Sequence, residues 1–201
     1  MVHHRLTSWI IPFFRLIVMA MAAACLAALA VAARGAGGTA FDLSGKAVNP
    51  LEASNGKVVV LVFVRTDCPI SNRYAPTIQK LSAEHAAGTE FWLVYPSKEE
   101  SAEVIRKHDR DFGYKIPALR DPEKVLVKES KAQITPEAAV FDSKGRLIYH
   151  GRIDNLYADI GRARTIATTH ELEDAIEAAH GGKKLAADTA HAVGCYISDL
   201  E

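Results

Sequence analysis

Between the turn signal Asn55-Gly56 and Cys68 the chain runs Lys57-Val58-Val59-Val60-Leu61-Val62-Phe63-Val64, an apolar and largely β-branched stretch with no polar alternation. A strand with one wet face alternates apolar and polar residues; this one does not, so the run predicts a central strand covered on both faces. Covering both faces takes helices above and below the sheet, which confines the chain to an α/β layer architecture. Cys68 follows, and then Pro69-Ile70-Ser71-Asn72. Pro69 suits the first position of a helix, where its missing N–H costs nothing and its fixed φ is already helical. Cys68 therefore stands at a strand-to-helix junction. There the unpaired N–H groups of the first turn and the positive end of the helix dipole favour thiolate over thiol. Such placement lowers a cysteine pKa from about 8.5 into the range of roughly 3.5–7.5. The same residue also reads as a buried structural thiol, because free cysteine is among the most buried residue types.

The remaining elements follow from periodicity and punctuation. Phe41-Asp42-Leu43 with Ser44-Gly45-Lys46 reads as a short strand and turn, and Pro69 to about Ala87 as a helix with Ile70, Tyr74, Ile78 and Leu81 on its buried stripe. Pro76 lies inside that helix and predicts a kink. Phe91 to Tyr95 is a strand ended by Pro96, followed by a helix from Ser97 to about Phe112 with Ser97 or Ser101 as its cap. Ile116 to Leu119 is short enough to predict an edge segment, and Pro122 to about Ala132 a further helix. Glu137 to Phe141 and Arg146 to His150 form a hairpin about Asp142-Ser143-Lys144-Gly145. Leu172, Ala175, Ile176 and Ala179 line a last helix that stops at Gly181-Gly182.

His3, His4, Arg5 and Arg15 precede an uncharged apolar run from Leu16 to Ala33, which Arg34-Gly35 breaks. A basic flank, an apolar stretch and small residues at Ala30-Val31-Ala32 fit a secretory leader within residues 1–34. At 18 residues the run also meets the lower length of a membrane-spanning anchor. Either reading exports the remainder to a periplasmic or other extracytoplasmic compartment, where disulfides are permitted. Removing the leader removes Cys25 and leaves Cys68 and Cys195, which are 127 residues apart, unlike a metal knuckle or a C-x-x-C pair. Residues 39–182 are the length of one domain, and residues 183–201 form a tail carrying Cys195. Cys195 itself reads as a partner for Cys68 or as a spare thiol on a frayed end. Lys and Arg total 24, and Asp and Glu also total 24. With no clustered basic excess, the balance argues against nucleic acid as a partner.

The order strand, helix, strand, helix, hairpin, helix is that of the thioredoxin fold. The chain resembles the thioredoxin-like redoxins, the broad family that includes periplasmic thioredoxins and the alkyl hydroperoxide reductase/thiol-specific antioxidant proteins. Three segments carry the likeness: Phe41 through Leu61, the turn Thr66-Asp67-Cys68-Pro69-Ile70-Ser71, and Ile134-Thr135-Pro136-Glu137-Ala138-Ala139-Val140-Phe141. The resemblance implies a mixed central sheet with helices on both faces and a thiol oxidoreductase with Cys68 as nucleophile on disulfides or peroxides. It further implies an external thiol reductant, no cofactor and no bound metal. The third segment corresponds to the one whose family proline is cis and faces the active-site thiol, so Pro136 and Thr135, with Pro69 and Arg152, become candidate substrate-binding residues. Ser71 stands where the dithiol pattern has its second cysteine, so oxidation must go elsewhere. The resolving thiol is then Cys195, with Ser71 and Thr66 as candidate hydrogen-bond donors to the thiolate. The peroxiredoxin spacing of Pro, Thr or Ser, and Cys is not kept, since Leu61, Arg65 and Cys68 occupy those positions. Arg65 and Arg152 are candidate anion stabilisers, although each reads more readily as a member of a surface ion pair.

Two other function classes fit the same turn. Copper-delivery proteins of this fold share a Thr-x-Cys-Pro turn, but their second cysteine corresponds here to Asn72, which leaves a soft-ligand set incomplete. Copper or haem-thiol handling thus remains an alternative, as does a non-catalytic binding module that keeps the surface around Pro136 and has lost turnover.

Overall fold

The computed structural model describes residues 40–181, 185 and 190–198, all within the unit formed by residues 38–201. The apolar run from Leu16 to Ala33 lies outside the described residues. Among those described, no helix is long and apolar enough to cross a membrane.

The predicted central strand is β3, Val58–Phe63, buried at every position. It is an interior strand of a seven-stranded mixed sheet that also contains β1 (Ala40–Asp42), β2 (Ala47–Val48), β4 (Thr89–Tyr95), β5 (Ala118–Arg120), β7 (Glu137–Phe141) and β8 (Leu147–Gly151), in the order β2-β1-β5-β4-β3-β7-β8. β3 runs parallel to β4, with Val60 opposite Phe91, and antiparallel to β7, with Leu61 opposite Ala139. Between these strands lie helices α1 (Pro50–Ala53), α2 (Pro69–Glu84), α3 (Ala102–Asp111), α4 (Val125–Ser130) and α5 (Glu171–Gly181).

Alternate side chains of β3 enter two different cores, the reason its sequence shows no polar period. Val58, Val60 and Val62 pack with Tyr74, Ala75, Ile78 and Leu81 of α2, Ile105 of α3 and Leu172, Ala175 and Ile176 of α5. Val59, Leu61 and Phe63 pack on the opposite face with Leu126 and Val127 of α4 and with Ile197 near the C-terminus. Helices therefore cover both faces, and the thioredoxin-like mixed sheet expected from the sequence is the observed one.

Three local expectations change. The segment expected at the sheet edge, β5, is internal, because Phe41 and Asp42 of β1 pair antiparallel with its Arg120 and Leu119. The helix expected from Ser97 begins at Ala102, where Ser101 Oγ accepts from Val104 N–H at 3.2 Å, while Ser97 Oγ accepts from Glu99 N–H in a local turn. The helix expected from Pro122 shortens to Val125–Ser130 because the buried Asp121 carboxylate takes the Val125 and Val127 N–H groups at 2.8 and 3.0 Å. As the sequence placed it, α2 is a single helix from Pro69 to Glu84 with Pro76 inside it; the proline withholds one backbone donor without ending the helix.

Two small sheets were not anticipated. Tyr157–Asp159 (β9) pairs with Arg162–Ala163 (β10), and Ile134–Thr135 (β6) pairs antiparallel with Cys195–Tyr196 (β11).

Candidate active site

Cys68 is the N-cap of α2, with φ −89° and ψ 109°, and Pro69 is the first helical residue. β3 carries the chain to the end of the sheet, Val64 N–H still donating to Val94 O at 3.0 Å, and a turn closed by Cys68 N–H to Arg65 O delivers the thiol to the helix start. Its side chain has no exposed surface. As a thiol it donates to Thr135 O at 3.2 Å and leaves the helix uncapped. The Thr135–Pro136 peptide is cis.

The partner of this thiol is Cys195. Thr135 and Cys195 are directly opposite in the β6–β11 pair, Thr135 Oγ1 donates to Cys195 O at 3.3 Å, and Ile197 N–H donates to Gln133 O at 2.9 Å. Ile197 is buried against the sheet and Tyr196 is three-quarters exposed, the alternation of a strand with one face inward. Gly194 lies so close to this edge that a Cβ there would sit 2.0 Å from Thr135 O. Held this way, Cys195 Sγ donates to Cys68 Sγ across 2.9 Å, and both cysteines are free thiols. A disulfide of about 2.05 Å is reached by a sulfur movement of under about 1 Å.

The two sulfurs are electrostatically unequal. Burial raises the Cys68 pKa, but hydrogen bonds from Cys195, from the Ser71 hydroxyl and from the Ser71 and Ile70 N–H groups more than offset it, so the thiol titrates below the ordinary value. Ser71 Oγ is buried and has no acceptor while Cys68 is a thiol; the thiolate provides one. Burial, and donation to Cys68, push the Cys195 thiol up. The first proton therefore leaves Cys68, and Cys195 stays protonated beside the resulting thiolate.

The other sequence candidates fall in different places. Pro69 and Pro136 lie at the turn and at the loop facing it. Thr66 is tied to Glu100: its N–H donates to Glu100 Oε1 at 2.6 Å. Arg65 pairs with Asp67 at 2.7 Å. Arg152 is bound through Nε and Nη2 to Glu171 Oε1 at the start of α5, the ion pair that was the other reading of this residue.

Residues without a sequence motif complete the surroundings. Asn72 Nδ2 donates to Thr66 O at 3.2 Å, and Asn72 Oδ1 accepts from His108 Nε2 at 2.7 Å. His108 Nδ1 lies 2.9 Å from the Tyr95 hydroxyl, which is 3.0 Å from Asp109 Oδ1. Asn72, at the position of a copper protein's second thiolate, is thus a structural bridge from α2 to α3. Glu100 is buried, and its burial pushes its carboxyl up. On the opposite side, buried Glu137 accepts the Gln133 and Ile134 N–H groups at 2.8 and 3.1 Å and meets His150 Nδ1 at 3.2 Å, fixing the backbone that leads into Pro136. A carboxylate opening the otherwise apolar Glu137-Ala138-Ala139-Val140-Phe141 was the available signal for this last role.

Comparison with known proteins agrees with this architecture. Solved structures that match include a hypothetical protein of Sinorhizobium meliloti 1021, 22% identical over 80% of this chain and 89% of its own with a TM-score of 0.68. An uncharacterized conserved protein from Geobacillus kaustophilus is 21% identical over 79% of this chain and 86% of its own, with a TM-score of 0.67. A thiol:disulfide interchange protein of the thioredoxin family from Chlorobium tepidum TLS is 13% identical over 71% of this chain and 92% of its own, with a TM-score of 0.52. No curated protein matches. At these identities the structural matches establish the fold. The Redoxin family model matches residues 33–162, a span holding both Cys68 and Pro136 and ending before the Cys195 strand. With that match covering more than half of its length, the chain belongs to the Redoxin family.

Proposed function

We propose that this redoxin is an exported thiol oxidoreductase in which Cys68 attacks a disulfide or a peroxide and Cys195 resolves the product. The observation that carries this reading is the 2.9 Å contact between a thiol held below the ordinary pKa and a second thiol held above it. With a peroxide, Cys68 thiolate attacks one oxygen, the O–O bond breaks, the alkoxide or hydroxide leaves and takes up a proton, and Cys68 becomes a sulfenic acid. Cys195 sulfur then attacks the Cys68 sulfur, forming the Cys68–Cys195 disulfide and releasing water. With a disulfide substrate, Cys68 thiolate displaces one thiolate and forms a mixed disulfide; Cys195 displaces the second, giving the same intramolecular disulfide. An external thiol reductant returns both cysteines to thiols. The thiol:disulfide interchange protein among the structural matches supports the disulfide branch by fold, and the basic-then-apolar leader supports export.

The test is non-reducing peptide mapping of the fully reduced protein after stoichiometric hydrogen peroxide or a model disulfide, with Cys68 and Cys195 followed separately. A Cys68–Cys195 linkage formed within seconds is the expected result. Survival of both thiols in both reactions overturns the reading and leaves the binding-module and copper alternatives. Cys68→Ser abolishes turnover, whereas Cys195→Ser accumulates the Cys68 mixed disulfide or over-oxidised Cys68.

A further inference from the structure

The turn that presents Cys68 is weakly held by its own backbone. Its internal bond, Cys68 N–H to Arg65 O, is long at 3.4 Å, and the Arg65–Asp67 pair across it has its carboxylate largely in solvent, where such pairs contribute little. Thr66 supplies the firmer hold, because its peptide groups are taken from two sides: its N–H donates to buried Glu100, and its carbonyl accepts from Asn72 Nδ2 at 3.2 Å. Asn72 lies one turn of α2 beyond the thiol, with its own N–H on Cys68 O at 3.0 Å. Thr66 O can only accept, so the Asn72 atom facing it is the amide nitrogen, and the atom 2.7 Å from His108 Nε2 is the amide oxygen. That oxygen needs a donor, and His108 therefore carries a proton on Nε2. The ring is held in place from its other sides. His108 is buried, its Nδ1 is 2.9 Å from the Tyr95 hydroxyl, and the rings of Phe112 and Tyr114 lie 4.7 and 5.8 Å from it, centre to centre. Tyr95 is fully buried at the end of β4, and its hydroxyl is also 3.0 Å from Asp109 Oδ1. A chain of side chains thus runs from the sheet through Tyr95, His108 and Asn72 to Thr66, two residues before the thiol.

We infer that His108 is a positioning residue for Cys68: its Nε2 proton holds the Asn72 amide against the Thr66 carbonyl and so sets where the sulfur stands relative to Cys195 and the Ser71 hydroxyl. This rests on Cys68 acting as the nucleophile proposed above. His108 touches no reacting atom, and its effect is delivered through geometry alone. Without the Nε2 donor the Asn72 amide is free to rotate, Thr66 O loses its partner, and the turn is left to its long backbone bond. The Cys68 thiolate then loses its alignment with the donors that favour it, and the 2.9 Å contact with Cys195 is no longer kept. The role needs only the neutral ring with its proton on Nε2. Burial keeps His108 below the ordinary imidazole range, which favours that form.

Two substitutions separate this role from simple packing, because a glutamine amide nitrogen falls near the place of Nε2 and an asparagine amide near that of Nδ1. His108→Gln keeps a donor for Asn72, whereas His108→Asn keeps a polar contact to Tyr95 and loses the one to Asn72. In the full reduced chain the Cys68 pKa is read from ultraviolet thiolate absorbance against pH, as the difference from the matching protein that also carries Cys68→Ser. Closure is read as the rate of Cys68–Cys195 cross-linking after stoichiometric hydrogen peroxide, by non-reducing peptide mapping. Cross-linking at least about ten-fold slower in His108→Asn and in Asn72→Ala is expected, part of the roughly 10²-fold that a misplacement of about 1 Å costs, together with a raised Cys68 pKa. His108→Gln restores both toward wild type. A His108→Gln protein as impaired as His108→Asn overturns the inference, because the donor at Nε2 would then not be what matters. Either readout unchanged in Asn72→Ala overturns it as well; Asn72 is only half-buried, so this variant decides the matter even where His108→Asn does not fold. If the wild type forms no Cys68–Cys195 link, the cycle is overturned and the Cys68 titration alone judges the positioning, so the two failures are distinguishable.

Discussion

Thr135 faces both cysteines at once: its carbonyl accepts from the Cys68 thiol, and its backbone is the strand partner of Cys195. One residue ahead of a cis proline thus holds the two sulfurs together. The contact depends on how closely Gly194 approaches that same carbonyl, and Gly194→Ala is the sharpest test. Its Cβ is placed 2.0 Å from backbone oxygen that cannot yield, so the strand must shift. A misplacement of about 1 Å costs on the order of 10²-fold in an intramolecular reaction. Disulfide formation slowed to that extent, with Cys68 newly alkylatable, is the expected result. Unchanged closure kinetics would contradict the geometry.

Ser71→Ala separates stabilisation of the thiolate from stabilisation of the fold. The hydroxyl is buried without an acceptor in the thiol form, so its removal leaves the protonated protein as stable or slightly more so. The Cys68 pKa rises in the variant, and rises further in Cys195→Ala, since the Cys195 donor is the stronger of the two. Thiolate absorbance near 240 nm against pH reads both. The sign for stability follows: Cys68 has a folded pKa below its unfolded one, so its contribution is complete above the unfolded value of about 8.5 and is lost as pH falls through the folded value. The stability gap between wild type and Cys68→Ser therefore widens with rising pH over that window.

Glu100 carries the opposite sign. Burial raises its carboxyl pKa on folding, so the stability it adds is complete below the unfolded value of about 4.3 and is lost as pH rises through the raised folded value. Glu100→Gln keeps an oxygen for the Thr66 N–H and removes the charge. Chemical denaturation at a series of pH values will show a fall in wild-type stability across that window that the variant lacks. Parallel curves would place the carboxyl in a wetter setting than its burial indicates.

Oxidation should stabilise the whole domain. Joining Cys68 to Cys195 closes a loop spanning 127 residues, which in the chain-entropy picture is worth up to about 5 kcal/mol, less any native-state strain. The oxidised protein is expected to unfold at a markedly higher denaturant midpoint than the reduced one. In contrast, Ile197→Ala, which empties a buried site in the core between the sheet and α4, costs about 2–5 kcal/mol in the reduced protein. Much of that cost appears as local release of residues 195–197, visible by hydrogen exchange.

What the sequence disclosed depended on whether the interaction was local. Val58–Phe63 revealed a doubly covered strand because every position is buried, and the thiol at the start of α2 was legible because Cys-Pro is a contiguous signal. The cis proline was accessible only through resemblance, since no single residue pattern specifies the isomer. The bridge Asn72–His108–Tyr95 joins three elements by side chains spaced 36 and 13 residues apart, and nothing in any one segment announces it. The internal place of β5 depends on a strand from far earlier in the chain, and the partner of Arg152, Glu171, belongs to a later helix. Cys195 could be nominated by count alone; what brings it to Cys68 is a two-residue strand with no periodicity to detect.

The inward–outward alternation of Gly194 to Ile197 also makes the contact between the two thiols a matter of reading frame. Cys195 and Ile197 face in and Tyr196 faces out. Inserting or deleting one residue between Cys195 and Ile197, with the buried isoleucine kept as anchor, turns the sulfur to solvent and brings a neighbour's side chain over Cys68. Both cysteines would still be present in such a protein, and no second thiol would lie beside Cys68.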